Sequence, residues 1–365
     1  MTSPANPAYT ATGLPKLGAG QLRAQIENVI ASQPDKQWSP FEIFAELKGR
    51  SQAAIRNALN RLVRLGRATT VAGKYQFNPT GTPAQAPTPN PYQVVSSSGP
   101  VLRPNGTAYY PRDLAGRRDV DVLRQLRQAV IPVLLYGPPG TGKTSLIEAA
   151  YGNDLYTIAG DSDTTVGDLV GDYVPGGAAG AYDFIDGPLT QAMETGGVFF
   201  LDDATLVSPK VLAAVYPAMD GRRQIAIKGN GGRIVRAEPG FFCVGGHNPG
   251  VHGAVLSEAL ASRFTVQLEV TTDYDLAARQ LQVHRGLVAA SRELWAKVVA
   301  GEIGWAPQLR ELLGAKAVEK ALGLDIAVAN LIGAAPEEDR DEVTKAFKKH
   351  LPNIDPTPLT LGKQL

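Results

Sequence analysis

The stretch YGPPGTGKTSLIEAA, Tyr136 to Ala150, decides how the chain is read. It contains the pattern G-x-x-x-x-G-K-[ST] from Gly137 to Thr144, and its flanks suit that pattern. VIPVLLY before it is an apolar run of buried-strand type, and SLIEAAYG after it opens a helix. Gly137, Gly140 and Gly142, with Pro138, Pro139 and Thr141 between them, allow backbone N–H groups to fold inward around phosphate oxygens. They do so at the positive end of the following helix. Lys143 supplies a point charge for β- and γ-phosphates, and Thr144 offers a hydroxyl ligand for Mg²⁺. Strand, loop, Lys-Thr and helix in that order predict a nucleotide-binding chain.

The second half of such a site follows downstream. GGVFFLDDA, Gly196 to Ala204, is an apolar strand ending in two acids. At a strand tip beside a phosphate loop, Asp202 can hold Mg²⁺ through water, and Asp203 is placed to orient or activate the attacking water. GFFCVGGHNPG, Gly240 to Gly250, is another apolar strand, and its Asn248 can hold the lytic water or touch the γ-phosphate. LSEALASRF ends a helix with Arg263, a charge for a phosphate on a neighbouring subunit. APQLRELLGA places Arg310 on a helix start, from which it can reach back to the nucleotide.

Length and composition set the frame. With 365 residues the chain has room for two or three domains, and its net charge of +1 gives no global field for nucleic acid. Its single cysteine, Cys243, excludes an internal disulfide and suits a reducing cytosol. No run approaches a membrane span and the N-terminus lacks the order of a signal peptide, so the expectation is a cytoplasmic protein with no membrane contact.

Residues 1–20 read as a loose tail. Residues 21–78 form a small domain in which nine basic residues face four acidic ones. LRAQIENVIAS is helical in spacing, and SPFEIFAEL opens with Ser39 as N-cap, Pro40 at the first helical position and Glu42 to complete a capping box. SQAAIRNALNRLVRLG is a third helix, and RATTVAGKYQF reads as two short strands around Ala72-Gly73. Three helices and a hairpin resemble a winged helix, whose third helix would present Gln52, Arg56, Asn57, Asn60, Arg61 and Arg64. That face suits either DNA or protein docking. Residues 79–108 are a Pro/Ser/Gly-rich linker. Strand–helix alternation over 109–270 marks an α/β nucleotide-binding domain, a helical lid covers 271–351, and 352–365 is a C-terminal tail.

The order GPPGTGKT, LDDA, GHNPG, SEALASRF, PQLR resembles the AAA+ ATPase superfamily, a P-loop NTPase fold with a parallel sheet. Within it, TTVGDLVGDY, FIDGPLTQAMETGGVFFLDDA and SPKVLAAVYPAMDGRRQ are closest to the MoxR/CbbQ-type, dynein-related branch. The resemblance covers about residues 109–350. It implies ATP with Mg²⁺, Lys143 and Thr144 as Walker A, and Asp202 and Asp203 as Walker B. It further implies Asn248 as sensor 1, Arg263 as arginine finger and Arg310 as sensor 2. The implied assembly is a homo-oligomeric ring, usually a hexamer, that hydrolyses ATP to remodel a protein client. Two other readings stay open: a DNA-handling motor or loader using residues 21–78, and a slow nucleotide-dependent assembly switch. The branch usually carries Glu where this chain has Asp203, which draws the carboxylate back by on the order of 1.5 Å, and misplacement of that size can cost about a hundredfold in rate.

Two further hairpins are expected. LVGDYVPGGAAGAYDFI turns at Gly176, Gly177 and Gly180, and RRQIAIKGNGGRIVRAEPG turns at Gly229 to Gly232 while carrying Arg222, Arg223, Lys228, Arg233 and Arg236. The latter is either a solvated basic hairpin or a contact for an acidic substrate or DNA backbone. His247, His252, His284 and His350 lack metal spacing, Cys243 reads as core, and Trp295 and Trp305 pack within the lid.

Overall fold

A computed structural model describes residues 21–47, 55, 58–59, 62–63, 66–71, 74–79, 99–175, 182–251, 253–355 and 357–361. These fall into two compact units. One draws its described residues from Met1–Ser97, Gly167–Gly196 and Ala226–Glu238, the other from Ser98–Val166, Gly197–Ile225 and Pro239–Leu365.

The larger unit is built on five parallel strands: β1 (Val133–Tyr136), β2 (Leu155–Ala159), β3 (Val198–Asp202), β4 (Phe242–His247) and β5 (Val266–Glu269). Their order in the sheet is β5-β1-β4-β3-β2, so β1 and β3, far apart in the chain, both flank β4. The register sets His247 beside Tyr136 and Asp202 beside Ala159, which aligns the strands' C-terminal tips. A parallel sheet covered on both faces needs apolar side chains on both, which is why β1, β3 and β4 read as runs rather than alternations. One face, with Val133, Leu135, Phe200 and Phe242, packs on Leu146 and Ile147 of helix Lys143–Tyr151 and on Val120 and Leu123 of helix Asp119–Gln128. The other, with Phe199, Leu201 and Cys243, meets Leu212 and Val215 of helix Pro209–Met219 and Leu260 and Phe264 beyond it. Each such fully buried side chain contributes about 1.5–3 kcal/mol. Cys243 lies in this core, and burial pushes its thiol up to about 12.

The unit begins earlier than the boundary expected at residue 109. Val101–Leu102 pairs antiparallel with Ala108–Tyr109, and Arg103 Nη1 donates to Ser145 Oγ and Glu148 Oε2, both at 3.0 Å, on the helix after the glycine-rich loop. Composition reads Pro, Gly and Ser as linker; it does not register an arginine bonded some forty residues away. Helices Tyr274–Arg279, Arg285–Val299, Leu309–Leu322, Leu324–Ala334 and Arg340–His350 complete the unit around Leu287, Leu294, Leu312, Leu331 and Phe347. Trp295 and Trp305 pack against that core, as expected.

In the other unit, helix Pro40–Glu46 has the expected capping box: Ser39 Oγ accepts from Glu42 N at 3.2 Å and Glu42 Oε2 accepts from Ser39 N at 2.7 Å. Ile55, Leu59 and Leu62, at i, i+4 and i+7, are fully buried with Ile26, Ile30 and Ile43. Strands Ala68–Val71 and Lys74–Phe77 form the hairpin, and Trp38 joins it through paired backbone bonds with Tyr75, each 2.7 Å. The polar residues Gln52, Arg56, Asn57, Asn60, Arg61 and Arg64 lie outside the described residues. So does the expected glycine turn at Gly176, Gly177 and Gly180, although its flanking strands Gly171–Pro175 and Tyr182–Asp186 pair in register. No helix among the described residues is long and apolar enough to cross a membrane.

The basic hairpin, Gln224–Ile227 with Arg233–Arg236, differs from a free cationic arm. Arg233 is bonded to Asp186 at 2.7 Å and also to Glu194, while Arg222 binds Asp220 through both carboxylate oxygens. Arg223 donates to Phe241 O at 3.1 Å. Arg236 also has an interaction partner.

Candidate active site

The loop Gly137–Thr144 leaves the tip of β1 under tight constraint. Gly137 has φ 146°, and a Cβ there would lie 2.3 Å from Val270 O, so backbone packing admits glycine alone. Its N–H donates to His247 O at 3.2 Å, and Thr141 Oγ1 donates to Pro138 O at 3.0 Å. Pro139, Gly140 and Gly142 complete the turn, with Gly140 at φ 81° and Gly142 at φ 97° opening helix Lys143–Tyr151.

Lys143 is 6% exposed, and its ammonium donates to Gly137 O at 2.8 Å, Pro138 O at 2.9 Å and Asn248 Oδ1 at 2.5 Å. All three donors are thereby satisfied, which makes burial of the charge tolerable. Burial still lowers its pKa to about 8, against the opposing pull of Asp202 and Asp203 and with a smaller push from Arg310.

At the tip of β3, Asp202 Oδ2 accepts from Thr144 Oγ1 at 3.0 Å, and Asp202 Oδ1 accepts from Asp203 N at 3.1 Å. Burial raises the Asp202 pKa; the Thr144 bond opposes this, and the Asp203 charge adds to it. A hydroxyl and a desolvated carboxylate in contact form an all-oxygen pair suited to Mg²⁺, which takes one or two carboxylates together with phosphate and water oxygens. Gly246 on β4 makes room for this carboxylate, since a Cβ there would lie 2.4 Å from Asp202 Oδ1.

Asp203 departs from the strand with φ 49°, in the left-handed region that Asp and Asn tolerate better than longer side chains. Asn248 Nδ2 donates to Asp203 Oδ1 while Asn248 Oδ1 accepts from Lys143. One amide therefore links the second acid to the loop lysine. Arg310, on the first turn of helix Leu309–Leu322, donates its N–H to Gly140 O at 3.1 Å, and Gly140 fits only because it lacks a Cβ, which would lie 2.9 Å from Arg310 Cβ. Arg263 is held elsewhere, with its guanidinium over the Tyr216 ring and Nη1 donating to Ala259 O at 2.5 Å.

Sequence reading missed Arg112, the Thr205–His247 pair and Arg103. Arg112 donates to Thr271 O at 2.7 Å and to Tyr109 Oη at 3.3 Å, with its Nη2 3.8 Å from where a Gly142 Cβ would lie. Thr205 Oγ1 and His247 Nδ1 are 2.8 Å apart, buried just behind the acids, and burial together with Lys143 lowers the histidine pKa. Neither carries a local pattern. Only Arg103, three residues after the Gly99-Pro100 pair, had a signal at all, and it read as linker.

Residues 132–264 match a family described as AAA domain (dynein-related subfamily). That range holds every residue above from the loop to Arg263, but neither Arg310 nor residues 21–78. Protein NorQ of Paracoccus denitrificans (strain Pd 1222) is 34% identical over 184 residues, 49% of this chain and 66% of that protein. The denitrification regulatory protein NirQ of Stutzerimonas stutzeri is 36% identical over 132 residues, 35% of this chain and 47% of that one. Protein CbbQ of Hydrogenophilus thermoluteolus is 31% identical over 157 residues, 42% of this chain and 56% of that one. The alignments thus span about half to two thirds of these relatives' lengths. Phosphate loop, paired acids and strand order agree with these matches: residues 132–264 form an AAA domain of the dynein-related kind, and the chain is similar to MoxR-like AAA+ proteins.

Proposed function

We propose that this chain binds and hydrolyses ATP as one subunit of a homo-oligomeric ring, six copies being usual in the branch it resembles, and that turnover remodels a protein partner in the cytoplasm. The observation that carries the reading is the chain of contacts Lys143–Asn248–Asp203, with Thr144–Asp202 beside it, at the tips of three neighbouring strands. In this reading the loop N–H groups and Lys143 hold the β- and γ-phosphates, and Thr144 with Asp202 holds Mg²⁺, which would supply positive charge to the phosphate oxygens. Asp203, steadied by Asn248, orients the water and takes its proton. Arg310, fixed to Gly140, adds a charge from the lid side. Arg263 has no contact with the loop among the described residues, which supports a role toward the phosphate of the next subunit rather than its own.

Slow turnover, in which bound nucleotide chiefly controls assembly, is the second reading; it rests on the shorter acid at 203, and faster turnover in Asp203→Glu is the result that would favour it. The DNA-motor reading gains less, because Arg222, Arg223 and Arg233 are engaged within the chain. The test is Lys143→Ala, which should abolish ATP binding or turnover in a folded protein; native turnover in that variant would end the reading. Asp203→Asn, expected to bind ATP without hydrolysing it, is then the bait for capturing the partner, with DNA-stimulated turnover as the result that favours the motor instead.

A further inference from the structure

Arg263 is held by contacts that leave its charge without an ion-pair partner among the described residues. Its guanidinium carbon sits 3.7 Å from the centroid of the Tyr216 ring, on helix Pro209–Met219. Nη1 donates to Ala259 O, but Nε is buried and has no hydrogen-bond partner among the described residues. A buried, unpaired N–H opposes this placement, so hydrogen bonding alone does not explain it; the ring face supplies the attraction. No carboxylate lies within ion-pair distance of Arg263 among the described residues. Asp220, whose carboxyl feels the Arg263 charge, is instead occupied by Arg222 through both oxygens. The backbone is fixed from the other side, because Phe264 is buried against Gly245 of β4, where a Cβ would lie 2.6 Å from Phe264 Cζ.

We propose that Tyr216 is a positioning residue for hydrolysis: its ring face holds the Arg263 guanidinium in place and uncompensated, ready for the γ-phosphate bound to a neighbouring copy of this chain. The inference rests on the reading of Arg263 given above. The ring matters through its π-face, and the hydroxyl, buried and without a partner among the described residues, does not contribute. Loss of a cation–π contact of this kind corresponds to about a 2- to 30-fold effect.

The experiment uses the full-length chain, with ATP turnover, affinity for a fluorescent ATP analogue and thermal unfolding measured on each variant. Tyr216→Leu should lower kcat about 10-fold while KM and analogue affinity stay within about twofold. Tyr216→Phe should turn over like the native chain. If Tyr216→Leu does not fold, Tyr216→Met takes its place, filling similar space without a ring. In an Arg263→Ala background the same Tyr216 substitution should produce no additional loss, since its target is gone. Native kcat in a folded, ring-less variant overturns the proposal, as does a Phe variant as slow as the Leu one, or an equal loss in the Arg263→Ala background. If Arg263→Ala itself turns over like the native chain, the reading of Arg263 fails first and the inference falls with it.

Discussion

Gly246→Ala is the sharpest perturbation available, because it leaves every residue that would touch nucleotide in place. The added Cβ would lie 2.4 Å from Asp202 Oδ1, with Asp202 Cα at 3.3 Å and Cγ at 3.4 Å. Ordinary contact begins at about 3.4 Å, so the carboxylate must retreat by roughly 1 Å. Rotation of the side chain alone gives little relief, because the Cα and Cγ are already tight and Gly246 O accepts from Ala204 N at 2.8 Å. The retreat breaks the 3.0 Å contact with Thr144 and the 3.1 Å contact with Asp203 N. A displacement of about 1 Å can cost on the order of a hundredfold in rate, and overpacking costs about 1–3 kcal/mol of stability. The assay is steady-state ATP turnover titrated with Mg²⁺, beside urea unfolding and analogue affinity in EDTA. The expected result is kcat lower by about a hundredfold, a higher Mg²⁺ requirement and little change in metal-free affinity. A folded Gly246→Ala variant with native turnover and native Mg²⁺ dependence would refute the placement of Asp202.

Three further outcomes follow from the same geometry. Asp203→Glu should be slower than native: the left-handed backbone suits Asp, costing a longer side chain about 1–2 kcal/mol, and the added methylene overshoots Asn248; faster turnover would mean the native Asp is a brake. Arg263→Ala should keep ATP affinity yet lose about 10³–10⁵ in rate, and mixing it with Lys143→Ala subunits should recover part of the activity; no recovery in confirmed mixed rings would place Arg263 outside the neighbouring site. Lys143 carries a pKa lowered by burial to about 8, so between there and its ordinary 10.5 the folded chain holds fewer protons than the unfolded one. Its burial therefore opposes folding fully below pH 8 and less as pH rises. Phosphate binding restores the proton, so ATP affinity should fall above pH 8, and calorimetry at pH 9 in buffers of different ionisation heat should record proton uptake near one per site against almost none at pH 7.

The sequence alone determined what is contiguous. The phosphate loop is strand, turn and helix in fifteen residues, the capping box at Ser39 and Glu42 spans one helical turn, and the apolar runs of β1, β3 and β4 announce a sheet buried on both faces. Such features depend on spacings of a few residues, which a single chain displays openly. The sheet order was decided by crossovers, and only that order sets Lys143, Asp203 and Asn248 in contact across intervals of up to 105 residues. The left-handed Asp203, the Arg112 contact beside Gly142 and the stack of Arg263 on Tyr216 belong to the same class. So does the internal pairing of Arg233, which pattern reading had left open to an outside partner. A charge read along the chain has no partner until packing assigns one, and packing is a property of the whole sheet with its helices rather than of any window within it.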